Sequence, residues 1–342
     1  MMNKRHPLYQ EDLRYVLSTA GIARLHGKHV LVTGATGLIG THLIDALMHM
    51  GDVHVTAIGR SQQRAAERLG EYFGEERFTF LEHDVCNAFP TDLAADFVIP
   101  LASNTHPKAY SEHPVETLLI NTLGCQHALD LARRCGATLL YPSTVEVYGN
   151  ARGTDIFTED YTGELNLATA RACYPESKRT SEALCLSYAA EYGVDVKIVR
   201  LSRVFGPTML MTDTKASSQF IKKALAHEDI VLKSEGTQHF SYTYTADVVS
   251  AMLYVMLLGD SGVAYNIAHS ACDIHLRDFA SLCASFVGTR VVFDLPDESE
   301  RRGYSIATQA IMSAGRVSKL GWTPRYNIRK AIEHTITILD GK

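Results

Sequence analysis

A doubly wound α/β fold with a smaller C-terminal lobe is what this sequence predicts, and two observations carry the prediction. From residue 29 to residue 200, apolar runs of strand length alternate with helix-length stretches. Strands joined through helices pair in parallel, in a sheet covered on both faces. The first run leads directly into a turn of spaced glycines, Thr33-Gly34-Ala35-Thr36-Gly37-Leu38-Ile39-Gly40, which opens the first helix of the series.

Each element follows from its residues. Residues 9–25 read as an amphipathic helix with Leu13, Val16, Leu17 and Ala20 on one side. It precedes the alternating series, so residues 1–26 are a helical extension expected to pack on or cap the core, with a part in oligomerisation as the alternative. Val30, Leu31 and Val32 make residues 29–33 a buried strand, followed by a helix over 40–49. Residues 53–58 form the second strand, 62–69 a charged helix, and 78–81 a third strand ending at Asp84 and Val85. Residues 97–101 and 138–141 continue the sheet on either side of a long helix over 115–135. A helix from 175 to 192 leads to the strand at 195–200. Residues 27–200 are therefore the predicted sheet domain. Residues 201–342, rich in Gly, Pro and Thr turns, are the smaller lobe, with part of 241–270 returning to the sheet domain.

Composition bounds the function. The 342 residues suffice for a full core, and 46% hydrophobic with 21% charged residues is ordinary for a globular enzyme. A net charge of -5 argues against a general affinity for nucleic acid. No apolar run approaches the roughly 20 residues of a membrane span. Lys4, Arg5, Glu11, Asp12 and Arg14 interrupt any apolar leader, so no membrane association and a cytoplasmic location are expected. The seven cysteines lack a Cys-x-x-Cys pair and the fifteen histidines lack a His-Glu-x-x-His pattern. Neither disulfides nor a metal are expected.

The glycines of the first turn have separate physical tasks. Gly34 permits the tight turn, Gly37 lets the backbone approach a pyrophosphate, and Gly40 allows close helix–strand packing. The N–H groups and dipole of the helix start favour phosphate. Between a strand and a helix, such a turn is a Rossmann-type site for NAD(P), with Thr36, Leu38 and Ile39 in the same contact. The second strand ends Ile58-Gly59-Arg60-Ser61, without the carboxylate that binds an NAD ribose. Arg60 suits a 2′-phosphate and favours NADP; adenine stacking or solvation is its alternative. Asp84, with Val85, is expected to meet the adenine amino group or else to cap a turn. Leu101, Ala102, Ser103 and Asn121 complete the candidate cofactor contacts.

Tyr174 and Lys178 lie near the start of a helix, where four-residue spacing puts both on one face. A phenol titrates near ~10, and a neighbouring ammonium favours the phenolate. Tyr174 can then take the proton of a hydroxyl as hydride leaves for a nicotinamide, with Lys178 assisting. Thr144, in Ser143-Thr144-Val145-Glu146, would hold the same oxygen.

With these residues the chain resembles the extended short-chain dehydrogenase/reductase family of nucleotide-sugar enzymes, from about residue 28 to residue 339. Within it the likeness is to UDP-glucuronate decarboxylases, carried by STVEVYG (143–149), EDYTGELN (159–166), RACYPESKRTSEAL (171–184), RVFGPTM (203–209), HPVETLLINTLG (113–124) and LGWTPRYNIRKAIEHTI (320–336). The resemblance implies oxidation of a sugar 4-hydroxyl by Thr144, Tyr174 and Lys178 with bound NAD. It makes Glu146 an active-site carboxylate, and Ser103, Thr144, Glu146 and Arg203 substrate contacts. A 4-keto uronic acid is a β-keto acid and loses carbon dioxide readily, after which the hydride returns. Glu146 as the base of a dehydration, or as a backbone cap, is the alternative, and Val145 stands where one dehydratase branch has its general acid. The family also implies a homodimer built on helices 115–135 and 175–192.

The chain departs from that family in its substrate half. Arg203 stands near a family Asn, Phe240 near a family Arg, and residues 308–322 replace an Arg-x-Pro-Asp segment. Arg301, Arg302 and Lys233 are candidates to supply compensating charge, with solvated surface as their expected role. The expectation is decarboxylation, with a 4,6-dehydratase, an epimerase or a net NADPH-dependent reductase as alternatives. A catalytically silent dinucleotide-binding regulator is the alternative from another class.

Overall fold

A computed structural model describes residues 2–105, 107–294 and 308–341; Arg301 and Arg302 lie outside the described residues. In chain order the first half contains α1 (Pro7–Leu17), β1 (His29–Thr33), α2 (Leu38–His49), β2 (His54–Gly59), α3 (Gln62–Leu69), β3 (Phe78–Glu82), β4 (Phe97–Pro100), α4 (Pro107–Glu112), α5 (Pro114–Cys135) and β5 (Thr138–Thr144). Then follow β6 (Ile156–Phe157), α6 (Cys173–Tyr192), β7 (Val196–Leu201), β8 (Arg203–Phe205), α7 (Ala216–Leu225), β9 (Ile230–Leu232), β10 (His239–Tyr244), α8 (Thr245–Leu258) and β11 (Val263–Ile267). The chain closes with β12 (Asp273–His275), α9 (Leu276–Val287), β13 (Val291–Phe293), β14 (Gln309–Met312), α10 (Gly315–Ser318) and α11 (Ile328–Asp340).

Seven strands form one parallel sheet in the order β3-β2-β1-β4-β5-β7-β11. Its middle strands are apolar without alternation because helices cover both faces; Val30, Leu31 and Val32 are all fully buried. Chain order reverses direction between β1 and β4, and the carboxyl ends of strands at such a switch point form the usual ligand crevice. Val263–Ile267 joins as the outermost strand beside β7. A second sheet, β12-β10-β14-β6 with β8 on β10, stands beyond these carboxyl ends, and β9 pairs β13.

Several boundaries differ from the sequence expectation, among them those of three helices. The first helix ends at Leu17, and after Gly21, in the left-handed region at φ 78, residues Ile22–Leu25 form a 3-10 turn. Helix α2 starts at Leu38 and α6 at Cys173, each two residues early. Gly40 and Pro175 are tolerated there because a first turn lacks intrahelical N–H partners.

Helix α1 packs on α2, α8 and α11. Its Tyr9 hydroxyl donates to the fully buried Asp45 at 2.6 Å, joined by Tyr72 at 2.9 Å and Lys4 at 2.6 Å. Tyr15 donates to Asp247 at 2.7 Å, and Tyr244 to Asp12. These donors offset the burial of Asp45 and Asp247, while Asp12 accepts a hydrogen bond on one oxygen only and its Oδ1 has no hydrogen-bond partner among the described residues. No helix among the described residues is long and apolar enough to cross a membrane.

Candidate active site

The glycine turn lies at the switch point. Gly34 has φ 62, and a Cβ there would meet the Leu101 carbonyl carbon at 2.6 Å and the Ala102 nitrogen at 2.7 Å, so only glycine lets β1 and β4 close on each other. A Cβ on Gly40 would meet the Gly34 oxygen at 2.4 Å. Gly37 is the N-cap of α2 and no side chain caps it, which leaves the first-turn N–H groups of Leu38, Ile39 and Gly40 for an anion. Thr36 lies partly exposed in the same turn. This cradle fits a dinucleotide pyrophosphate.

The adenosine end is less simple than the sequence suggests. Arg60 is ion-paired with Glu116, in the first turn of α5, at 2.5 Å, so its charge is already compensated. Asp84 accepts the Cys86 N–H at 2.9 Å and so closes a turn. Val85 is buried under Gly124, where a Cβ would touch it at 2.9 Å.

Between β4, β5, α5 and α6 lies a small cavity lined by Thr33, Ala102, Asn121, Tyr141 and Lys178. Asn121 donates to Ser177 at 2.9 Å, while its Oδ1 is buried without a partner among the described residues. Lys178 is buried with Nζ on the Pro142 carbonyl at 2.8 Å and 4.9 Å over the Tyr141 ring. Burial pulls its ammonium down to about 8, against the opposing influence of Cys125, Cys185 and Glu182.

Tyr174 stands one helical turn before Lys178. Burial, followed by the charge of Glu146, raises its phenol well above the usual value; Thr144, Arg171 and Tyr110 act less strongly the other way. The sequence argument that a neighbouring ammonium favours the phenolate is therefore corrected here: Lys178 is occupied by Pro142, and desolvation dominates. Thr144 accepts the Glu146 N–H at 3.3 Å.

Among the described residues the Glu146 carboxylate caps no backbone N–H. Arg171 Nη2 bridges its two oxygens at 2.9 and 2.7 Å. The Arg171 guanidinium lies 4.5 Å from the centroid of Tyr110, whose ring stacks on Tyr174 at 4.8 Å and 22°. Neither Tyr110 nor Arg171 was among the sequence-predicted site residues. Arg171 carried a signal, since it opens the RACYPESKRTSEAL stretch; Tyr110 carried none, since α4 was not anticipated.

Arg203 faces Tyr242 across the β8–β10 pairing and lies 3.5 Å over the ring of Phe240. Among the described residues its Nη1 is buried without a hydrogen-bond partner, and burial lowers its pKa, with Glu146 and Arg171 within electrostatic reach. The cation from β8 thus rests on the residue that replaces the family's arginine on β10. Ser103 donates to the Asn104 carbonyl at 3.1 Å. Lys233 pairs with Asp294 on the far two-stranded sheet, about half exposed. Among the described residues no cluster of three His, Cys, Asp or Glu could hold a metal.

A parallel sheet with a dinucleotide cradle at its switch point, and a Tyr–Lys pair at the same strand ends, defines an extended short-chain dehydrogenase/reductase. The comparisons with known proteins agree. The model of the NAD dependent epimerase/dehydratase family matches residues 30–268, and the chain belongs to that family. It is 32% identical over 314 residues to UDP-glucuronic acid decarboxylase 1 of Danio rerio, covering 90% of this chain and 72% of that one. It is 32% identical over 307 residues to UDP-glucuronic acid decarboxylase 6 of Arabidopsis thaliana, covering 89% and 86%. Among solved structures it resembles UDP-glucuronic acid 4-epimerase from Bacillus cereus in complex with UDP-glucuronic acid and NAD. That likeness has a TM-score of 0.76 at 22% identity, covers 92% of this chain and 99% of the other, and shows the fold.

Proposed function

We propose that this chain oxidises the 4-hydroxyl of UDP-glucuronate and releases carbon dioxide from the resulting β-keto acid. The observation that carries the reading is the placement of Thr144, Glu146 and Tyr174 together at the end of β5, beside Lys178. NAD, when bound by the glycine turn, supplies the hydride acceptor and later the hydride donor. Tyr174 takes the hydroxyl proton and returns it at the end, with Thr144 holding the same oxygen. Lys178 keeps its proton below about 8 and supplies positive charge on the Tyr174 face of α6. Glu146, held by Arg171, faces the sugar rather than acting as a backbone cap. Arg203, with Nη1 unpartnered, takes a phosphate oxygen in place of the missing arginine on β10.

Arg60 compensated by Glu116 favours NAD over NADP. Val115, Leu118 and Leu119 on α5 and Leu186 on α6 are exposed apolar side chains on two packed helices, which supports a homodimer formed through this helix pair. Seven cysteines without a disulfide suit the reducing cytoplasm.

The test is mass spectrometry of products after incubation with UDP-glucuronate and NAD. Loss of carbon dioxide without net cofactor reduction is the expected result. Unchanged UDP-glucuronate would refute the reading. A dehydrated or epimerised product would transfer the same residues to the corresponding reaction on the 4-keto sugar.

A further inference from the structure

Arg171 lies in the 3-10 turn Ala170–Ala172 that leads into α6, and its side chain is not needed to hold that turn. The turn is capped by Thr169, whose hydroxyl accepts the Arg171 N–H at 2.9 Å. The guanidinium instead reaches back to Glu146 and uses only Nη2 there. Among the described residues Nε and Nη1 donate to no acceptor, and the side chain is 48% exposed. One face of the guanidinium rests on Tyr110, and Tyr110 rests on Tyr174. The ion pair therefore has one edge closed on Glu146 and another open, a single aromatic ring away from the candidate base.

A purely structural role explains this arrangement poorly. An ion pair this exposed adds little to stability, and among the described residues the head group's other contact is the Tyr110 ring, which uses none of its N–H donors. Without Arg171, an anionic substrate group brought beside Tyr174 would meet Glu146 as a like charge. With it, the pair is neutral and still offers unused N–H donors. In a uronic acid the carboxylate sits on the ring carbon next to the one that carries the reacting hydroxyl. Its receptor must therefore lie close to Tyr174, and Arg171 is three residues before Tyr174 at the helix start.

We propose that Arg171 is the specificity residue that recognises the substrate carboxylate, holding Glu146 through Nη2 and the uronate oxygens through its open donors. This assignment rests on the decarboxylase reading above. A guanidinium that grips a carboxylate stabilises the bound acid more than the transition state in which that charge leaves as carbon dioxide. Its signature is therefore in binding, and in discrimination against sugars with a hydroxymethyl group in place of the carboxylate.

The test uses the full chain with NAD in a Tyr174→Phe background, so that substrate is not consumed. Dissociation constants for UDP-glucuronate and UDP-glucose are measured by calorimetry before and after Arg171→Gln and Arg171→Lys. Arg171→Gln is expected to weaken UDP-glucuronate about 10- to 100-fold, the range of a charge-assisted hydrogen bond, while moving UDP-glucose less than about threefold. Arg171→Lys keeps the charge without the planar fork and is expected to recover part of the loss. Equal weakening of both ligands would overturn the proposal in favour of a structural role, and so would no weakening of either. If the chain with intact Arg171 binds UDP-glucuronate and the intact enzyme decarboxylates it, such a result sinks the Arg171 assignment alone. A chain with intact Arg171 that binds neither nucleotide sugar sinks the decarboxylase reading, and this assignment with it.

Discussion

Replacing Lys178 with methionine should make the cofactor-free protein more stable while abolishing turnover. The ammonium is buried, and burial lowers its pKa from 10.5 to about 8. The folded state therefore holds this proton less tightly than the unfolded state does. Stability is fully penalised below pH 8, and the penalty is relieved as pH rises from about 8 towards 10.5. At pH 7 a shift of this size corresponds to about 3 kcal/mol. Because the group is fully buried, solvent screening takes little from that figure. Methionine has similar length and no charge, but it loses the bond to the Pro142 carbonyl and leaves that oxygen unpaired, which costs about 1–3 kcal/mol. The net expectation is a stabilisation of up to about 2 kcal/mol at pH 7. The pH profile is the sharper readout: the native protein should gain about 1 kcal/mol from this group between pH 7 and 9, and Lys178→Met should lose that gain. Urea unfolding of the cofactor-free protein at both pH values measures it. A variant less stable than the native protein at pH 7, with the same pH slope, would refute the reasoning.

Three further outcomes are expected. Gly40→Ala drives a Cβ to 2.4 Å from the Gly34 oxygen; α2 must shift, and NAD affinity by fluorescence titration should fall more than about tenfold, with about 1–3 kcal/mol of stability lost. Glu116→Gln releases Arg60 from its ion pair, so the ratio of NADP to NAD affinity should rise about tenfold, and an unchanged ratio would remove Arg60 from the cofactor site. Tyr9→Phe removes one of three donors to the buried Asp45; a loss of about 1–3 kcal/mol is expected, read by thermal unfolding.

Much of the fold was legible because the sheet strands advertise themselves locally. Residues such as Val30 to Val32 are apolar at every position, as only a strand covered on both faces permits, and Gly34 and Gly40 mark the turn that follows. The end of the first helix was misread because the apolar spacing runs past Leu17, while the left-handed Gly21 that ends the helix weighs little in a periodicity. Helix α4, only six residues long, falls below what a periodic pattern reveals.

The sequence by itself determined the alternation of strands and helices from residue 29 to residue 200 apart from α4, the dinucleotide turn, and the four-residue spacing of Tyr174 and Lys178. All of these rest on residues close in the chain, where backbone geometry converts spacing into direction. Tertiary structure alone decided which charges meet. Arg60 finds Glu116 across 56 residues and Arg171 finds Glu146 across 25, while Arg203 settles on Phe240 through the pairing of β8 with β10. Such pairs depend on strand register and on how helices seat against the sheet, and a long cation has several carboxylates or rings within reach until that packing selects one.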